Sequence, residues 1–234
     1  MVYEHMGFII LWTNNNAGFL ALILFVITLL LGWSSGVFTR LRYRANFVLE
    51  AIEGPTFCCT FKTGRKHQET NTHRTAIVIY LSIKNIGVAP SEIFKVQIGY
   101  HNHSFKYSFL WFWLSPVLSL RDFGHTIGEN LKVYPFLIQK STLLPQENNT
   151  YLLSGQSSKG IVYFEQAESF GGFSPRVKSR KVKVKVKVFD VFNRCYSSVF
   201  WIPVVDLSYA RKFNAEFGQT LENMETNEIE EWTI

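Results

Sequence analysis

The sequence predicts a mainly β protein. An apolar N-terminal helix crosses a membrane once, and an antiparallel β-sandwich or small β-barrel follows, ending in a short C-terminal helix or an acidic tail. Three observations predict it. A seventeen-residue run with no charge, Ala17–Trp33, stands near the start. After residue 46 the apolar residues recur with period two, as on strands with one buried face. Gly, Pro, Asn and Ser clusters separate these runs, and no long helical pattern interrupts them.

Composition narrows the class. The 234 residues are 47% apolar and 18% charged, too apolar for a disordered polymer. The formal net charge of +6 hides an asymmetry: from Glu216 onward there are six acids and no base, so the rest of the chain carries +12. Three cysteines, two of them the adjacent Cys58 and Cys59, do not make a disulfide framework.

The first element is Ala17–Trp33, AGFLALILFVITLLLGW. At about 1.5 Å per residue it spans roughly 26 Å, close to a hydrocarbon core of about 30 Å. Trp12 and Trp33 bracket it as interfacial residues do. A cleaved signal peptide would need bases before the apolar run, and residues 1–16 hold no Lys or Arg. The bases come after it, at Arg40, Arg42 and Arg44, so the positive-inside rule puts residues 1–16 outside and the β domain in the cytoplasm. The expected organisation is an outer N-terminus (1–16), the span (17–33), a basic linker (34–46), the β domain (47–205) and an acidic tail (206–234).

The expected strands are Phe47–Glu53, Thr56–Lys62, Thr75–Lys84, Glu92–His101, Phe105–Leu114, Leu131–Gln139, Thr150–Leu153, Gly160–Gln166, Lys181–Phe192 and Tyr196–Val204. Asn85–Pro90 and Asp190–Arg194 read as turns. In the tail, Tyr209, Phe213 and Phe217 recur every four residues, which fits a helix over Leu207–Leu221.

Three blocks, IYLSIKNIGVAPSEI, SSKGIVYFE and VKVFDVFNRCYSSVFWIPV, carry a resemblance. Their strand–Asn-x-Gly–strand and Val-x-Asp-x-x-x-Arg-x-Tyr patterns resemble those of immunoglobulin-like sandwich modules in membrane-anchored bacterial proteins. The resemblance implies a fold and carries no functional residues.

The segment Lys178–Phe189, KSRKVKVKVKVF, is the strongest chemical signal. On a strand, Val182, Val184, Val186 and Val188 face the core, and Lys181, Lys183, Lys185 and Lys187 form a comb spaced about 6.6 Å apart. Such a row repels itself unless it is wetted or neutralised by an anion. Lysines on an edge strand also discourage stray pairing, which is the structural explanation of the comb. Near a membrane tether the closest anions are lipid headgroups; nucleic acid also fits the charge but is not expected as a partner. The second oddity is Phe109–Leu114, FLWFWL, where alternation disappears, so both faces of that strand need cover. Cover by the C-terminal helix is expected, with Trp111, Phe112 and Trp113 as contacts to membrane or a partner chain otherwise.

Metal and catalytic chemistry have little in the sequence to stand on. His101 and His103 share a strand face, but no Cys-x-x-Cys or His-Glu-x-x-His spacing accompanies them, and no metal or cofactor is expected. Cys58 and Cys59 point to opposite faces, one to the core and one a bystander. No Gly-x-Ser-x-Gly, phosphate loop or dinucleotide fingerprint is present. The expected function is a membrane-tethered, non-catalytic binding or scaffold module, oriented on anionic lipid by Arg40, Arg42, Arg44 and the comb, with a protein partner or a second copy bound. The competing expectation is a ligand-gated membrane effector of bacterial defence, or a subunit of a larger membrane complex.

Overall fold

The computed structural model describes residues 11–35, 43–103, 110–145 and 148–219. Residues 1–10, Arg40, Arg42, most of the expected strand Phe105–Leu114 before Leu110, and the acids from Glu222 to Glu231 lie outside them. The chain divides into two compact units, Met1–Arg44 and Ala45–Ile234.

The first unit contains helix α1, Ala17–Ser34, with a mean hydropathy of 2.3, long and apolar enough to cross a membrane. None of its residues is buried by protein. The polar atoms inside it are satisfied locally, Thr28 Oγ1 donating to the Leu24 carbonyl (2.7 Å).

The second unit is built of antiparallel sheets. The first is organised by β3, Thr70–Asn85. One side of β3 pairs with β1 (Phe47–Ala51) and then β2 (Phe57–His67), and the other with β9 (Ser157–Glu165) and β10 (Ser169–Phe170). The second sheet is organised by β12, Lys181–Asp190, with β13 (Cys195–Pro203) on one side and β4 (Ser91–Tyr100) on the other. The far side of β4 takes β5 (Phe112–Leu114) and β8 (Tyr151–Leu152), while β11 (Val177–Lys178) pairs with the start of β12.

The two sheets face each other across one apolar core. Ile77, Ile79, Leu81 and Ile83 of β3 pack there with Val162 and Phe164 of β9. They meet Val182, Val184, Val186 and Val188 of β12 and Ile93, Val96 and Ile98 of β4. A sandwich is therefore the arrangement, and the period-two pattern of β12 is the alternation its burial requires.

The first sheet is buried on its outer face too. Phe57, Cys59, Ala76, Val78, Ile161 and Tyr163 lie under Phe123 and Tyr134 of the hairpin β6–β7 (Phe123–Ile127, Asn130–Tyr134) and under Ala210 and Phe217. This explains why β3 is apolar on both sides. It also corrects three expectations. Cys59 is not a bystander but part of this second core, with Cys58 in the first. Phe123–Ile127 is a strand that the pattern did not announce, and the expected strand Leu131–Gln139 ends at Tyr134.

The third correction concerns the C-terminal segment. It covers the first sheet, not the Phe109–Leu114 strand, and it is one helical turn, α2 (Leu207–Ala210), followed by further turns rather than a helix to Leu221. Asn214 explains the break: it is buried, and its Nδ2 donates to Ser119 Oγ (3.0 Å) and the Arg121 carbonyl (3.1 Å). Gly218 then adopts a φ of +83°, with the Phe61 ring against it.

Candidate anion-binding face

The outer face of the second sheet collects the comb. Because β12 is flanked by β13 on one side and by β11 and then β4 on the other, Lys181, Lys183, Lys185 and Lys187 stand inside that face and not on an edge strand. Protection of an edge strand therefore does not account for them. Lys181 and Lys183 are exposed, and Lys185 and Lys187 half-buried.

Register supplies the neighbours. Across β13 the four lysines sit opposite Pro203, Trp201, Val199 and Ser197 in turn. Across β4, Lys185 sits opposite Gly99, Lys187 opposite Gln97, and Phe189 opposite Lys95. Lys178 of β11 lies opposite Lys181. None of these described positions holds a carboxylate, so six lysines share the face with two tryptophans and no counter-charge in register.

Trp113 gives the face its closest cation–π contact among the described residues. It pairs with Gly99, whose missing side chain lets the indole lie flat: a Cβ there would stand 2.9 Å from Trp113 Cε3. The Lys187 ammonium then sits 3.9 Å from the indole centroid, a cation–π distance. On β13, Trp201 and Val199 remain about half exposed. Phe112, by contrast, turns inward and packs on Tyr100 at 5.3 Å between centroids. Trp111 packs on His101 with 3.9 Å between ring centroids and the planes tilted by 36°. The arrangement offers ammonium groups to an anion and indoles to an interface.

Arg44 is exposed just before the sandwich begins. Three histidines lie apart: His67 stacks on Phe170, His125 packs against Phe213, and His73 lies 3.4 Å from Ser169 Oγ. His101 and His103 both turn toward the Leu110 carbonyl. Among the described residues no group of three or more His, Cys, Asp or Glu is placed to hold a metal ion.

The acids near residue 165 are engaged separately. Glu165 pairs with Arg74 (3.1 Å) and accepts a hydrogen bond from the Tyr163 hydroxyl (2.5 Å), all three buried. Burial, then the Glu165 charge, pushes the Tyr163 phenol well above its ordinary pKa, so it stays a donor. Glu168 accepts from Thr63 and Thr72; burial opposes its ionisation, but these bonds and Arg65 and Arg74 hold its pKa below the ordinary value. A recess of about 80 Å³ beside Pro116, Phe136 and Tyr163 is well under the roughly 300 Å³ at which small-molecule pockets begin.

Sequence reasoning located the comb but not its company. Trp201, Val199 and Lys95 were legible only as members of alternating runs, and Lys178 only as the head of the basic segment; that β4 and β11 flank β12 is a tertiary fact. No family model matches the chain, and no curated protein matches it.

Proposed function

We propose that the chain is a membrane-tethered, non-catalytic binding module whose basic, tryptophan-bearing sheet face engages anionic lipid headgroups. Helix α1 crosses the bilayer once, and the arginines that follow it keep the sandwich on the cytoplasmic side. The observation that carries the reading is the comb itself: four lysines on a central strand flanked on both sides, with no carboxylate in register. Repulsion within such a row is relieved by an anionic surface, at about 1 kcal/mol per base close to the lipid. Trp113 and Trp201 suit the headgroup layer, where an indole keeps an apolar body and a polar tip.

The apolar helix supports the tether. A surface of this size, uncovered by protein, needs lipid or another apolar cover to avoid aggregation. Tethering confines the search for partners to two dimensions and raises local concentration, so a weak contact suffices for a scaffold.

The test is amine footprinting of the full chain in nanodiscs. Acetylation of Lys181, Lys183, Lys185 and Lys187 is expected to slow in discs containing phosphatidylserine relative to neutral discs. Equal rates in both would refute lipid as the ligand.

A further inference from the structure

Three loops meet at the end of the sandwich where the chain from α1 joins it. Asn85 ties two of them together: its N–H donates to the Gln156 carbonyl (2.9 Å), and its own carbonyl accepts from Gly155 (2.7 Å). The joining segment is bound to the same place, Asn46 N–H donating to Asn85 Oδ1 (3.1 Å) and Ile86 N–H to the Asn46 carbonyl (2.8 Å). The third loop follows Asp190, which pairs with Ile93 at the start of β4. Tyr196 closes the ring, its hydroxyl 2.8 Å from the Ala45 carbonyl and 3.2 Å from Asp190 Oδ2.

The tips of these loops are apolar and exposed: Ile86 by 54%, Val88 by 58%, Leu153 by 48%, Val191 by 48% and Phe192 by 70%. The turns do not need them. Asn85 Oδ1 accepts from Gly87, Asp190 Oδ1 accepts from Phe192 and Arg194, and Asn193 takes the positive φ of 59°. Polar side chains would serve at every tip, and grouped apolar ones mark a contact surface.

We infer that this end of the sandwich dips into the lipid interface, with Ile86, Val88, Leu153, Val191 and Phe192 among the acyl chains and headgroups. The inference rests on the reading that α1 spans the bilayer. Two features select lipid as the occupant. Ten residues, 35–44, join Ser34 to Ala45, about 35 Å when fully extended, which keeps these tips in reach of the leaflet. Bases also rim the tips: Arg44, Lys84 and Arg194, whose guanidinium lies 5.5 Å from the Phe192 ring, against Glu92, which accepts from Thr150. Apolar tips with a basic rim match an interface with acyl chains below and phosphates above. With this end down, Lys187 lies nearer the lipid than Lys181, which is about 20 Å further along β12, so the slowing of acetylation on anionic discs is graded, greatest at Lys187 and least at Lys181.

The test places nitroxide labels on the full chain in nanodiscs, at Val88→Cys within one tip, at Ser154→Cys beside another and at Arg180→Cys at the opposite end, each with Cys195→Ser. Labels 88 and 154 are expected to collide severalfold more with oxygen relative to a nickel chelate than label 180 does. Equal nickel exposure at all three overturns the inference, and so does nickel shielding without a gain in oxygen, which marks a protein partner or a second copy. Retention of the chain in the disc reports the span separately. Tips that stay wet while the comb is protected overturn this inference and leave the lipid-facing comb standing. Inserted tips in neutral and anionic discs alike, with the comb unprotected, support the inference and refute the comb.

Discussion

The Lys187 ammonium stands 3.9 Å above the indole of Trp113, and that indole lies flat because the residue opposite it is Gly99. A Cβ at position 99 would stand 2.9–3.1 Å from three ring carbons. Gly99→Ala is therefore expected to tilt Trp113 off the sheet, red-shift its emission and cost about 1–3 kcal/mol in chemical denaturation. In a Trp113→Ala background the same substitution should cost far less, and equal costs would show that the two residues are not coupled.

The buried pair Arg74–Glu165 yields a second expectation. Arg74→Met leaves Glu165 charged, buried and bonded to Tyr163 without its cation. The loss in unfolding free energy should reach about 3–5 kcal/mol. Adding Glu165→Gln removes the stranded charge and keeps an acceptor for Tyr163, so most of that stability should return. A single variant as stable as the parent would contradict the burial of the pair.

Two hairpins turn on residues that dislike their conformation. Gln68–Glu69 and Ser179–Arg180 all have positive φ between paired strand ends, with no Gly or Asn among them. Left-handed backbone costs such residues about 1–2 kcal/mol each. Ser179→Asn with Arg180→Gly is expected to raise the melting temperature, and a fall would show that the Ser179 or Arg180 side chain contributes more than the turn costs.

Thiol reactivity separates the cysteines. Cys195 is exposed, whereas burial, reinforced by the Asp206 charge and opposed by Arg211, pushes Cys59 up to about 11. Cys58 is raised further, by burial and then by Cys59. Reaction needs the thiolate, so the native protein at pH 8 should modify one thiol quickly and all three after denaturation. The sign is fixed by burial favouring the neutral thiol: the slow reaction at Cys59 should accelerate only as pH climbs toward 11. Fast modification of two thiols at pH 8 would contradict the second apolar core.

The legible part of the fold was whatever burial writes locally. The strict alternation of Val182–Val188 with lysines announced which face is inward, and the continuous apolar run Ala17–Trp33 announced α1. The turn at Asp190–Arg194 announced β13 beside β12, but the pairing of β12 with β4 joins strands distant in sequence and could not be read, and so the comb looked like edge protection. The helix expected over Leu207–Leu221 followed a true aromatic spacing. Asn214 reached for Ser119 and Arg121 instead, turning the chain so that Phe217 enters the outer core. The hairpin at Gln68–Glu69 escaped because neither residue is a turn former. The apolar loop tips were visible as letters, but only the hydrogen bonds of Asn85 and Tyr196 bring them to one end.

The tether is the central claim, and protease protection measures it most directly. The full chain is expressed in sealed, right-side-out bacterial cells, protease is added outside, and the membranes are then washed in alkaline carbonate. The account predicts that residues 45–219 survive digestion and stay with the membrane pellet through the wash. Digestion of the sandwich from outside, or its release into the alkaline supernatant, would contradict it.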